Sequence, residues 1–411
     1  MKALVSAKGK VLTAWRAAEE FSAAYRQAVL DRAASDLAGS GERVYSESIA
    51  ILAAAAETHQ TLLKEMNVLL QEGATLPSPV RMKELTARYY ELLYRHQEVF
   101  HSAPAFYQKS MEFLKMLSAA IMARATDQLG LFARHLPQMA LIALGPAGRG
   151  EFSPFCRLEM LLVHEEVPPA QRQTINLFCH TLHEEFEAAG LAVDQNITPR
   201  NPQWRGSLAD WRERCHEGLQ RGAKNVLIDI LRLTDLYPLF PAEGIEQAFR
   251  DQTLAALRSN RPAQANLVTR MESLSHGIGL MGGLKLERSG AGRGMFSLIN
   301  HGLLPLSAAL SALALLKGSN ALSSYDRIID LLDRRELDVD QAEKTLEVWY
   351  YLHELLLRNE RGFSIVEHAE RSLFLDSESL TGEERQTLKA ALTSVAMIQR
   401  HVGIVFSGMG E

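Results

Sequence analysis

Between residues 145 and 159 the chain reads GPAGRGEFSPFCRLE, and the residue types in this stretch suit the handling of a phosphate. Gly145, Gly148 and Gly150 permit positive φ angles and let backbone N–H groups close on an anion. Arg149 supplies a permanent cation for a phosphate oxygen, and Glu151 an acid that can orient the turn. By itself, a glycine-bearing junction between strand and turn is equally well explained as structure.

Other clusters carry less. His180 and His183 in CHTLHEE are three apart and could share a helix face, but no further ligand stands at a recognised metal spacing. The basic, glycine-rich ERSGAGRGMF (287–296) could touch a phosphate through its amides, although it reads mainly as a loop between helices. Asn201, Trp204, Arg205 and Trp211 suit the capping and packing of a helix.

Three kinds of element must position these groups. Residues 1–135 read as a helical module. Ile51, Leu52, Ala55, Leu62, Leu63, Met66, Leu69 and Leu70 repeat at the helical period, as do Met82, Leu85, Tyr89, Leu92, Leu93 and Val99. TLPSPV (75–80) and SAPAF (102–106) read as breaks. At 138 the pattern changes: QMALIAL (138–144) and LEMLLVHEE (158–166) are short apolar runs that suit buried strands, and PAQRQTINLFCHTLHEEFEAAG (169–190) is an amphipathic helix closed by Gly190. A small α/β domain over 136–245 accommodates them. From 246 to 411 helical segments follow one another as a bundle, the last opened by a Thr381–Glu384 capping box. The fold expected is α+β, mostly α: helical module, small mixed sheet, helical bundle.

Bulk composition narrows the function classes. The chain has 411 residues and a net charge of −5, so no global basic field recruits nucleic acid or an anionic membrane. Its 3 cysteines, with no C-x-x-C spacing, fit a reducing compartment. The apolar run GLLPLSAALSALALL (302–316) holds Pro305 and is short for a membrane span, so a buried helix in a cytoplasmic protein is expected.

The run Gly145, Gly148, Arg149, Glu151 with a strand at the right distance resembles the signature of the polymerase-β-like nucleotidyltransferases. The similarity is to the bacterial branch that includes the PII-protein uridylyltransferases, and within it to putative signal-transduction nucleotidyltransferases with a helical, substrate-binding-like C-terminal domain. NPQWRGSLADWRERC (201–215), DLYPLF (235–240), and GLKLE with the LLPLSAALSALALL segment resemble later motifs of that group, in its order. The likeness covers roughly 130–405. It implies a nucleotide cradled by Gly145, Gly148, Arg149, Gly150 and Glu151 with Lys285, and Mg²⁺ on a Ser/Thr-Asp-x-Asp strand.

This chain departs from that pattern where the chemistry sits. The metal strand reads Cys156, Arg157, Leu158, Glu159, so Arg157 puts a cation where the resemblance expects an Asp. Pro146 removes one N–H from the turn, Tyr237 stands in place of an Arg, and Pro241 in place of a Gly. Arg157 could equally staple the site by pairing with Glu151 or Glu159. The expectation is a pseudoenzyme: a signalling regulator that binds a protein partner, with nucleotide sensing as a further role. The alternative is an active, Mg²⁺-dependent nucleotidyltransferase using Glu159 and Asp235.

Overall fold

The computed structural model describes residues 43–221, 232–279, 282–363 and 371–409. The helical reading of residues 1–42 lies outside them. The chain divides into two units at Val68/Leu69. Of the first, the described part is the leading portion of helix α1 (Arg43–Gly73). Everything below belongs to the second.

Helix α2 (Pro79–Phe100) starts one residue after Ser78, whose hydroxyl caps the Arg81 amide. The break expected over 102–106 shrinks to His101 and Ser102, because α3 (Ala103–Gln128) already begins at Ala103. Ser102 is its N-cap, and Pro104 falls in the first turn, where a missing N–H costs nothing. His101 takes the left-handed conformation (φ 44°) that ends α2.

A four-stranded sheet follows, in the order β3-β2-β1-β4. β1 (Met139–Leu144) lies antiparallel to β2 (Glu159–His164), with Met139 opposite His164 and Leu144 opposite Glu159. All six residues of β1 are buried, which is why the sequence shows an unbroken apolar run instead of alternation. Helix α4 (Arg172–Ala188) returns from β2, and Gly190 at φ +87° makes the turn that ends it. β3 (Arg205–Ser207) then pairs parallel with β2, and helix α5 (Leu208–Arg221) leaves it. β4 (Tyr237–Phe240) joins the other edge of β1.

Trp204, Trp211, Cys215 and Phe249 pack with Ala140, Ile142, Leu161 and Val163 as one core. Trp211 also donates its indole N–H to the Leu162 carbonyl at 3.3 Å, so both tryptophans are packing residues. On the other side, α3 packs on α4 and β4. β3 and β4 leave little sequence signature, since each is three or four residues long and β4 contains Pro238.

The C-terminal region is helical: α6 (Ile245–Arg258), α7 (Arg261–Ser273), α8 (Leu304–Leu316), α9 (Ser324–Asp333), α10 (Val339–Glu360) and α11 (Gly382–Gly408). A two-stranded ribbon, β5 (Phe296–Ser297) with β6 (Phe374–Leu375), interrupts the series and is too short to show a period in the sequence. α11 opens with the Thr381–Glu384 capping box and packs on α8 and α10. The segments 299–316 and 382–408 are long and apolar enough to cross a membrane by length and composition. The first has 78% of its window buried inside the protein, as the central helix of a bundle does. The fold is thus α+β and mostly α.

Candidate functional site

The chain leaves β1 at Leu144 and turns at Gly145, whose φ of +58° no branched side chain adopts without strain. A Cβ there would lie 2.9 Å from Glu159 Oε2, so turn and acid touch. Gly148 is tighter: a Cβ would stand 2.5 Å from the Asp235 carbonyl oxygen and 2.9 Å from that of Ala143. The glycines let the turn close against the β4 approach. That closure engages three amides of the turn. Arg149 N–H donates to Gly145 and Pro146 carbonyls at 3.1 Å, Gly150 N–H to Ala147 at 3.0 Å, and Glu151 N–H to Pro146 at 2.8 Å.

The side chains are engaged as well. Arg149, 12% exposed, donates to Glu151 at 2.9 Å and to Asp235 Oδ2 at 2.8 Å. Asp235 Oδ1 accepts from Arg327 Nη1 at 2.8 Å and from the Ser311 hydroxyl at 3.0 Å. Arg327 also donates to Ser311 Oγ and to the Thr234 carbonyl. Glu151 Oε1 accepts the Trp349 indole N–H at 3.1 Å. Burial would raise the Asp235 carboxyl, but Arg327 and Arg149 outweigh it and hold it below the usual range. Glu151 behaves alike: burial opposes its charge, while Arg149 favours it, with a net lowering. His353, packed 4.4 Å from Trp349 between ring centroids, is pushed down to about 4, mainly by burial.

Glu159 has its own partner. Both of its oxygens lie within 2.9 Å of Arg232 Nη1, and burial keeps its carboxyl above the usual range despite that cation. Arg149 stands against Glu151 and Arg232 against Glu159. Arg157 is exposed, just ahead of β2.

Of the residues singled out in the sequence, the fold brings together Gly145, Gly148, Arg149, Gly150, Glu151, Glu159 and Asp235. Lys285 lies in another loop, exposed, with its ammonium 3.3 Å from Ser275 Oγ. His180 and His183 do not share a face: His180 is exposed, while His183 is buried with Nδ1 3.0 Å from Thr198 Oγ1. Three residues apart, they straddle the edge of the helix's buried side.

Sequence reading missed the C-terminal half of the network. Arg327 on α9 and Trp349, His353 and Glu360 on α10 reach the turn from afar. Glu360 is fully buried, accepts from Ser153 and Tyr94 hydroxyls at 2.8 Å each, and is pushed up to about 7 by burial. Tyr107 OH stands 2.7 Å from His353 Nδ1. One signal was present: Trp349, His353 and Glu360, at spacings of four and seven, put polar groups on the apolar stripe of α10.

Glu151, Glu159 and Asp235 each hold a guanidinium, so a divalent cation placed on them would compete with Arg149, Arg232 or Arg327.

A short mixed sheet whose first strand ends in a glycine turn with Arg and acids around it, followed by a helical bundle, defines a nucleotidyltransferase-like class. Residues 97–225 match the family model described as "Putative nucleotidyltransferase DUF294", and residues 261–406 match "Putative nucleotidyltransferase substrate binding domain". The two matches follow one another in that order along the chain. No curated protein matches it.

Proposed function

We propose that this protein is a cytoplasmic, nucleotidyltransferase-related regulator of the PII-uridylyltransferase-like signalling type, bacterial in kind, whose site no longer transfers nucleotides. The observation that carries the reading is the closed charge network: Arg149 joins Glu151 to Asp235, and Arg327 of the bundle covers the other Asp235 oxygen. A nucleotide phosphate would have to displace Glu151 or Asp235 from Arg149, and a cation would have to displace two guanidiniums from Asp235. Each event therefore has to compete with a buried ion pair that is already formed.

With chemistry set aside, binding is the remaining role. Leu131 (79% exposed), Phe132 (61%) and Leu177 (51%) are large apolar side chains on two elements that touch, the 3₁₀ turn after α3 and helix α4. Such exposure suits a protein partner. In this reading a bound nucleotide is a signal and not a substrate. The free thiols of Cys156, Cys179 and Cys215 suit a reducing compartment.

Calorimetric titration with ATP and with UTP, each with and without Mg²⁺, tests the reading on wild type and Arg149→Ala. No Mg²⁺-dependent binding and no pyrophosphate release are expected. Mg²⁺-dependent binding that Arg149→Ala abolishes, accompanied by pyrophosphate release, would overturn it and restore an active enzyme.

A further inference from the structure

Between α7 and β5 the chain forms a glycine-rich loop, inside the stretch that matches the substrate-binding domain and apart from the glycine turn. Its arms are tied where Glu287 N–H donates to the Met295 carbonyl at 2.9 Å and Gly294 N–H donates to the Glu287 carbonyl at 2.9 Å. Arg293 is bridged to Glu287, so Arg288 and Arg293 leave neighbouring arms of one closed loop. The loop is also seated: Gly292 lies so close against the Phe374 ring of β6 that a Cβ would not fit.

Charge here runs against the rest of the chain. Lys285, Arg288 and Arg293 are exposed, and among the described residues none of them is in an ion pair. Lys285 donates to the Ser275 hydroxyl at 3.3 Å. The one acid of the loop, Glu287, is taken by His301, whose Nε2 lies 3.5 Å from its Oε1. Three cations and one acid leave residues 285–295 at +2, in a chain whose net charge is −5. Guanidiniums on neighbouring arms repel one another, and an anion between them would relieve that repulsion.

The backbone offers donors at the same place. Ser289, Gly290 and Ala291 at the tip are exposed, and their amides form no hydrogen bond among the described residues. Gly290 turns the chain at φ +74°, a conformation that gathers successive N–H groups on one concave side. We propose that this loop binds the phosphoryl group of a small phosphate or phosphomonoester, with Arg288 and Arg293 on its charged oxygens and the amides of Ser289, Gly290 and Ala291 on the remaining one. A dianion with three terminal oxygens matches two guanidiniums and an amide cluster, whereas a carboxylate brings one charge and two oxygens. Lys285 strengthens the positive field at the base of the loop. None of these groups belongs to the Arg149–Asp235 network, so the loop can act whether or not that network is closed.

The test is an amide-resolved NMR titration of the full chain at low ionic strength and about pH 8, where a phosphate is a dianion. The probes are inorganic phosphate, phenyl phosphate and acetate. Inorganic phosphate should shift the Ser289, Gly290 and Ala291 amides with a dissociation constant below about 5 mM, and acetate should bind at least about tenfold more weakly. Arg288→Gln and Arg293→Gln should each weaken phosphate binding about three- to tenfold, and the double variant should abolish the shifts. Both side chains are exposed, so the thermal midpoint should not move. Phenyl phosphate binding as well as inorganic phosphate assigns a phosphomonoester, and its exclusion assigns free phosphate. No saturable shift at these three amides overturns the proposal. Acetate that binds as tightly as phosphate does so too, as does binding that survives the double variant.

Discussion

Glu360→Gln should change how stability depends on pH, and the size of the effect follows from where Glu360 lies. The carboxyl is fully buried beside Tyr94 and Ser153, which donate hydroxyls to its two oxygens, and no cation is paired with it among those contacts. Burial raises it from 4.5 to about 7. The folded protein therefore holds that proton more tightly than the unfolded chain. The resulting stabilisation is complete below about pH 4.5 and is lost as pH rises through about 7. Linkage over this interval gives a loss of about 2.5 kcal/mol between pH 5 and pH 8. A glutamine keeps the shape, accepts one hydroxyl, and has no charge to bury. Wild type and Glu360→Gln should thus differ in unfolding free energy by an amount that grows by about 2.5 kcal/mol from pH 5 to pH 8, with the variant favoured at the alkaline end. Urea unfolding at half-unit pH intervals measures this. His353 is buried neutral and also makes stability pH-dependent, but it is common to both proteins and cancels in the difference. A difference that stays constant within about 0.5 kcal/mol over that range would refute the assignment of a carboxyl that stays protonated up to about neutral pH.

Two further outcomes test the closed network and its turn. Arg327→Met alone should cost about 3–5 kcal/mol by leaving a buried carboxylate short of a partner, and Asp235→Asn with Arg327→Met should cost clearly less than the two single changes together; additive losses in urea unfolding would mean the pair is not coupled. Gly148→Ala should destabilise by about 1–3 kcal/mol, because its Cβ would stand 2.5 Å from the Asp235 carbonyl oxygen, which as backbone cannot swing aside; an unchanged thermal midpoint would show that the turn and the β4 approach are looser than described.

Local signals in the sequence determined much of this protein. The unbroken apolar run of β1, the Gly190 stop, the capping box at Thr381 and the buried character of 304–316 were legible because each rests on a few neighbouring residues. The glycine turn was legible for the same reason. Proline misled the reading at 102–106, since Pro104 marks a helix start as readily as a break. What the turn's side chains do was decided only by the tertiary structure. Arg149 and Asp235 are 86 residues apart, and Arg327 reaches Asp235 across another 92. A guanidinium in a sequence carries no mark of whether it faces a phosphate or a neighbouring carboxylate, because charge pairing in a buried site is a property of distance and desolvation, and both are set by how distant helices pack on the sheet.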